Sequence, residues 1–164
     1  MIELLVFDVD GCMSDGSITY TKNGDELKSF NVKDGLAIST WIKMGKKCAI
    51  ITGRESSIVL KRANELGIKH IYQKVKNKKA KLDEILKQEN LTYEQIAAIG
   101  DDLNDYHMLK SAKISFCPSD SSMYIKKIVN HVLKTAGGKG AIREMIELIL
   151  EKENLQEEFL KQWL

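Results

Sequence analysis

Five short runs in this chain are apolar at most of their positions: Leu4–Phe7, Cys48–Ile51, His70–Tyr72, Ile96–Ile99 and Ile114–Cys117. A strand with one face in water alternates apolar and polar residues, whereas an unbroken apolar run needs cover on both faces. Segments of helical length separate the runs, over 35–44, 56–66, 78–88 and 103–110. Two further helices are expected over 121–129 and 141–153. Strands and helices in this alternation fold as a parallel sheet between two helical layers, because each parallel crossover returns the chain through a helix. The expected fold class is therefore α/β, three-layered and Rossmann-like. With one proline, Pro118, and no repeat, low-complexity tract or linker, residues 1–164 read as a single domain.

Composition narrows the function. Hydrophobic residues make up 43% of the chain, enough for one core. Twenty-five Lys+Arg against 23 Asp+Glu give a formal net charge of +2, without the basic excess of a dedicated nucleic-acid binder. Cys12, Cys48 and Cys117 are odd in number and form no CxxC pair, which reads as free thiols in a reducing compartment. The first residues include Glu3 and only a short apolar stretch, the pattern of neither a secretory leader nor a membrane span. A cytoplasmic protein is expected.

Two segments interrupt the alternation. Residues 17–32, "SITYTKNGDELKSFNV", place two β-rich arms around Asn23-Gly24, a pair that tolerates positive φ and signals a hairpin. Coming directly after Asp8 and Asp10, this hairpin is either a flap over whatever binds there or an ordinary edge hairpin. The tail, 154–164, sets Leu155, Phe159, Leu160, Trp163 and Leu164 on one helical face. That face either packs on its own domain or meets another subunit.

In a parallel sheet, ligands collect beyond the carboxyl ends of the strands. Asp8 and Asp10 follow the first run, Thr52-Gly53-Arg54 the second, and Asp101-Asp102 the fourth, while Lys78 opens the helix after the third. All converge on one sheet edge. Paired carboxylates repel and are costly to desolvate, and a shared Mg²⁺ answers both problems. Asp8 is then a candidate nucleophile toward phosphorus and Asp10 a general acid and base. Thr52 and Lys78 are candidates to hold phosphoryl oxygens. Each piece has a plainer reading: Asp101-Asp102 as a helix cap, Thr52-Gly53-Arg54 as a turn, Lys78 as one of a solvated lysine cluster. A calcium loop is excluded, since Cys12, Met13 and Thr19 stand where that loop needs a ligand, a glycine and a glutamate. Cys12 reads as a packed small side chain and His107 as a surface or packing residue.

The ordered set of Asp8-x-Asp10, Thr52, Lys78 and Gly100-Asp101-Asp102-x-x-Asp105 resembles the haloacid dehalogenase-like phosphohydrolases over the whole chain. "FNVKDG" (30–35), "ITGRES" (51–56) and "GGKGAIREMIELIL" (137–150) are similar to its capless branch acting on 3-deoxy-D-manno-octulosonate 8-phosphate. That resemblance implies a Mg²⁺-dependent phosphatase working through a phospho-Asp8 intermediate, without a large cap domain. It implies metal contacts from Asp8, the Asp10 carbonyl and Asp101, with Asp102 and Asp105 orienting them. Substrate contacts would come from Asp10, Asn31, Val32, Lys33, Asp34, Gly35, Arg54, Arg62 and Lys78. A homotetramer is implied too, with a hairpin and tail from a neighbouring subunit covering the site. Cys12-Met13-Ser14 and Lys74 depart from the branch's pattern, Lys74 standing where a glycine is usual. The alternatives are a phosphatase for a related nonulosonate 9-phosphate, a phospho-accepting receiver, or an inactive binding subunit. A receiver would carry its phosphorylated Asp on a later strand, and the intact acids argue against an inactive subunit.

Overall fold

The computed structural model describes all residues, 1–164. β1 (Leu4–Phe7) runs into a wide turn over Val9–Met13 and then an antiparallel pair, β2 (Thr19–Tyr20) and β3 (Glu26–Leu27). There follow α1 (Val32–Lys43), β4 (Lys47–Ile51), α2 (Ser57–Glu65), β5 (His70–Tyr72) and α3 (Lys78–Glu89). The remainder comprises β6 (Ile96–Ile99), α4 (Tyr106–Ser111), β7 (Ile114–Cys117), α5 (Met123–Lys126), β8 (His131–Val132), α6 (Ala141–Glu153) and α7 (Gln156–Leu160). Six strands form one wholly parallel sheet in the order β5-β4-β1-β6-β7-β8.

Alternate residues of β1 serve opposite faces, which is why the whole run is apolar. Leu5 and Phe7 join Ala37, Trp41, Val59, Met145 and Phe159 in the core under α1, α2, α6 and α7. Leu4 and Val6 join Leu82, Ile85, Met108 and Ile125 under α3, α4 and α5. The chain builds β4 and β5 to one side of β1 and then crosses to build β6, β7 and β8 on the other. The crevice at such a reversal is where open α/β sheets bind ligands.

Several boundaries differ from those expected. α1 begins at Val32 rather than Gly35, because the Asn31 side chain accepts from the Lys33 N–H at 2.9 Å and caps it. The 121–129 segment is helical only over α5, and the 103–110 helix opens with a tight turn over Leu103–Asp105. β8, two exposed residues at the sheet edge, is too short to stand out as an apolar run and was not expected. The hairpin is shorter than 17–32, and only Gly24 of its turn has positive φ, at 88°. Its loop is longer than two residues, closed by the Thr21 N–H on the Asp25 carbonyl and the Gly24 N–H on the Thr21 carbonyl. Lys74 takes the glycine-like backbone of its position with φ at 56°, a strain of about 1 kcal/mol.

The tail folds back on its own chain. Leu155 and Phe159 enter the core, while Trp163 donates from Nε1 to Thr40 Oγ1 at 2.9 Å and lies under Lys43. Leu160 and Leu164 remain exposed, so the five apolar residues do not share one buried face.

Candidate active site

The loops after β1, β4 and β6 meet around a cleft of about 210 Å³ lined by Asp8, Asp10, Thr52, Gly53, Arg54, Asp101, Asp102 and Asn104. None of these is hydrophobic. A larger hollow beside Gln73–Asn77, about 600 Å³, is walled by loop and α3 side chains and gathers no such set of strand-end groups.

At the floor, Lys78 is buried with its Nζ 2.7 Å from Asp8 Oδ1 and 2.5 Å from Asp105 Oδ1. Burial works against its charge, yet Asp8 and Asp105 outweigh that and raise its pKa. Lys78 opens α3, whose cap is Asn77, accepting from the Ala80 N–H at 3.0 Å. That cap fixes where the ammonium enters, and Lys78 is not part of a solvated face. Asp105 is fully buried, and its second oxygen accepts from the Asp101 N–H at 2.9 Å and the Asp102 N–H at 3.4 Å. One carboxylate thus anchors both the lysine and the acidic loop.

One buried cation among Asp8, Asp101 and Asp105 leaves excess negative charge. Burial, then Asp105, pushes the Asp8 carboxyl up to about 6 despite Lys78. Burial, then the charges of Asp8, Asp105 and Asp102, pushes Asp101 up to about 8. Donor atoms of Asp8, Asp101 and Cys12 lie within 4.8 Å of one another, close enough to surround one ion. Hard oxygen donors and this uncompensated charge fit a divalent cation such as Mg²⁺. Gly11 leaves room for the arrangement, since a side chain there would overlap the Asp101 carboxyl. The Cys12 thiol is buried, and burial and the surrounding acids raise its pKa, so it is no thiolate nucleophile.

Thr52 is buried just past the end of β4, its N–H donating to the Tyr72 carbonyl at 3.0 Å, and it lines the cleft. Arg54 is more exposed and pairs with Glu26 of the hairpin at 3.3 Å. Asp102 reaches the cleft rim and also caps the following turn, accepting from the Leu103 N–H at 2.8 Å.

The remaining candidates are placed elsewhere within this chain. Asn31 caps α1, and Val32 and Lys33 are exposed on its first turn. Asp34 is buried against α6, where Oδ1 accepts from the Arg143 N–H at 2.8 Å, and burial raises its pKa to about 6. The Arg62 guanidinium packs under Gly35, where any side chain would overlap it, and pairs with Glu65 at 3.6 Å. Within this chain Asn31–Gly35 and Arg62 do not line the cleft; Asn31 caps α1, while Asp34 Oδ2 and Arg62 Nε are buried without a hydrogen-bond partner. Asn104, on the cleft wall, and Lys28, which reaches Asp10 from the hairpin, were not singled out by the sequence. Asn104 lies within the Gly100–Asp105 motif itself, a signal that could have found it. His107 is exposed.

Comparison with known proteins agrees with this geometry. A family model described as haloacid dehalogenase-like hydrolase matches residues 68–146. A 3-deoxy-D-manno-octulosonate 8-phosphate phosphatase from Haemophilus influenzae is 40% identical over 152 residues, 93% of this chain and 84% of its own. Its counterpart from Yersinia pestis is 42% identical over 149 residues, 91% of this chain and 80% of its own. The solved phosphatase of the same name from Moraxella catarrhalis, in complex with magnesium ion, phosphate ion and KDO, superposes with a TM-score of 0.95. It is 37% identical, over 99% of this chain and 94% of that one. With likeness of this order over nearly its whole length, the chain belongs to the haloacid dehalogenase-like hydrolases, in the 3-deoxy-D-manno-octulosonate 8-phosphate phosphatase family.

Proposed function

We propose that this protein is a Mg²⁺-dependent phosphomonoesterase that hydrolyses 3-deoxy-D-manno-octulosonate 8-phosphate, releasing the free sugar acid for lipopolysaccharide precursor synthesis. The observation that carries the reading is the buried Asp8–Lys78–Asp105 cluster beside Asp101, with Asp10 two residues from Asp8 at the same strand end. Asp8 attacks phosphorus in line as the bond to the sugar oxygen breaks, and Asp10 supplies the proton that oxygen needs. Asp10 then takes a proton from water as the water oxygen bonds to phosphorus and the acyl phosphate bond breaks, returning Asp8. Thr52 and Lys78 hold the phosphoryl oxygens throughout. Mg²⁺ held by Asp8, Asp101 and the Asp10 carbonyl would supply charge neutralisation for the transferring group.

Asp102 and Asp105 orient these groups, and Arg54 is the cleft's guanidinium for the sugar carboxylate. The whole chain acts as one catalytic domain with the hairpin as its flap. Exposed Ile18, Tyr20 and Leu27 on the hairpin support its docking in a homotetramer, the assembly that would bring Asn31–Gly35 and Arg62 nearer a bound substrate. Three free, buried cysteines support a cytoplasmic setting; no helix is long and apolar enough to cross a membrane.

The test is phosphate release from a panel of sugar phosphates, with and without Mg²⁺. Wild type is expected to turn over the octulosonate 8-phosphate only with the metal, and Asp8→Asn to lose on the order of 10³-fold or more in kcat. Preference for a nonulosonate 9-phosphate would move the substrate alone. Absence of metal-dependent turnover on every substrate would refute the enzyme.

A further inference from the structure

Lys28 stands just beyond β3, on a hairpin whose strand residues are largely exposed, yet its own side chain is only 1% exposed. Its Nζ lies 2.5 Å from Asp10 Oδ1 and 3.1 Å from Glu26 Oε1. Glu26 in turn pairs with Arg54 at 3.3 Å. The four groups form a chain of alternating charge across the cleft mouth, from Asp10 through the hairpin to Arg54.

Such burial of an ammonium is disfavoured unless partners are built around it, and here both partners are carboxylates. The hairpin has two residues in each strand, and none of these four is in either core, so the pairs of Lys28 and Glu26 tie it to Asp10 and Arg54 at the cleft. Asp10 depends on the same contact. Its side chain is 20% exposed, and Lys28 is the one side chain that hydrogen-bonds it. A carboxylate at the rim of a cleft otherwise spreads over several rotamers.

We propose that Lys28 is a positioning residue: it fixes the Asp10 carboxylate by taking Oδ1, leaving Oδ2 as the oxygen that carries the proton in both half-reactions. The proposal rests on the reading of Asp10 as acid and base. It also gives the hairpin a task within its own chain, as part of the proton-transfer machinery and not only a cover.

The test compares wild type with Lys28→Met, Lys28→Arg and Asp10→Asn on two substrates. The octulosonate 8-phosphate has an alkoxide leaving group that needs a proton; p-nitrophenyl phosphate does not need one. Lys28→Met is expected to lower kcat on the sugar phosphate about 100-fold, the scale of a 1 Å misplacement, with KM within about threefold. Its first-turnover burst of p-nitrophenolate should stay within about threefold of wild type, and Lys28→Arg should recover most of the lost rate. Circular dichroism and the Mg²⁺-induced rise in Tm check that each variant is folded. A Lys28→Met enzyme as fast as wild type on the sugar phosphate overturns the proposal. So does an equal loss on both substrates that Lys28→Arg fails to rescue, which marks a merely structural residue. If Asp10→Asn itself is not slowed on the sugar phosphate, the acid/base reading falls; if it is slowed while Lys28→Met is not, only the positioning role falls.

Discussion

Lys78 holds two carboxylates in a place with almost no water, so each of the three groups depends on the others. Lys78→Met keeps most of the stem's packing and removes the cation, leaving Asp8 and Asp105 opposed. Removing one partner of a buried pair costs about 3–5 kcal/mol, so a urea melt should show a large drop in midpoint. Phosphate release should fall on the order of 10³-fold, and a variant with wild-type stability would contradict the geometry described. At this scale the sequence was informative wherever a residue's neighbours in the chain determine its place. Asp8, Asp10, Thr52 and Asp101 follow apolar runs directly, and a strand's end fixes where the next residues point. Lys28 could not be found that way, because nothing near it distinguishes it from other surface lysines; its role comes from how the hairpin folds over. Asp34 is the opposite case. It sits in a conspicuous "FNVKDG" motif, but its partner is the N–H of Arg143, 109 residues away.

Between elements, a backbone contact joins the wide Val9–Met13 turn to the loop before α6. The Gly138 N–H donates to the Cys12 carbonyl at 3.0 Å, and Gly137 lies so close to the Gly11 carbonyl that a methyl group would overlap it. Backbone meets backbone, and there is no flexible side chain to give way. Gly137→Ala is therefore expected to displace the turn that carries Asp10, costing about 1–3 kcal/mol of stability and at least tenfold in kcat. Thermal denaturation and phosphate release read the two effects separately; an active, equally stable variant would show that the turn yields. "GGKG" was recognisable as a pattern, though its service to a loop at the other end of the chain was not. The five apolar strands were legible because burial on both faces is written into every residue. β8 was not, being two exposed residues held by pairing with β7. Helix starts slipped where a single cap, such as Asn31, decides the boundary.

For the molecule as a whole, acidity and metal are linked through Asp8 and Asp101. Both carboxyls sit above the ordinary carboxylate value in the folded chain, at about 6 and about 8. Between about pH 4 and 8 these two carboxyls therefore hold more protons in the metal-free fold than in the unfolded chain, and their contribution to stability falls as pH rises. Mg²⁺ favours the ionised acids and displaces those protons, so the rise in Tm on adding millimolar Mg²⁺ should be larger at pH 8 than at pH 6. Equal shifts at the two pH values would mean that these acids do not share the ion. The alternation of strand and helix made the parallel sheet legible, but not the order β5-β4-β1-β6-β7-β8, which depends on which face each crossover covers. That order has a consequence for the making of the protein. β1 lies at the centre of the sheet, yet the turn that follows its end is closed by Gly137 and Gly138, from a segment far later in the chain. The turn that bears Asp10 is complete only when the segment before α6 has docked on it, so assembly of the cleft waits on one of the longest-range contacts of the fold.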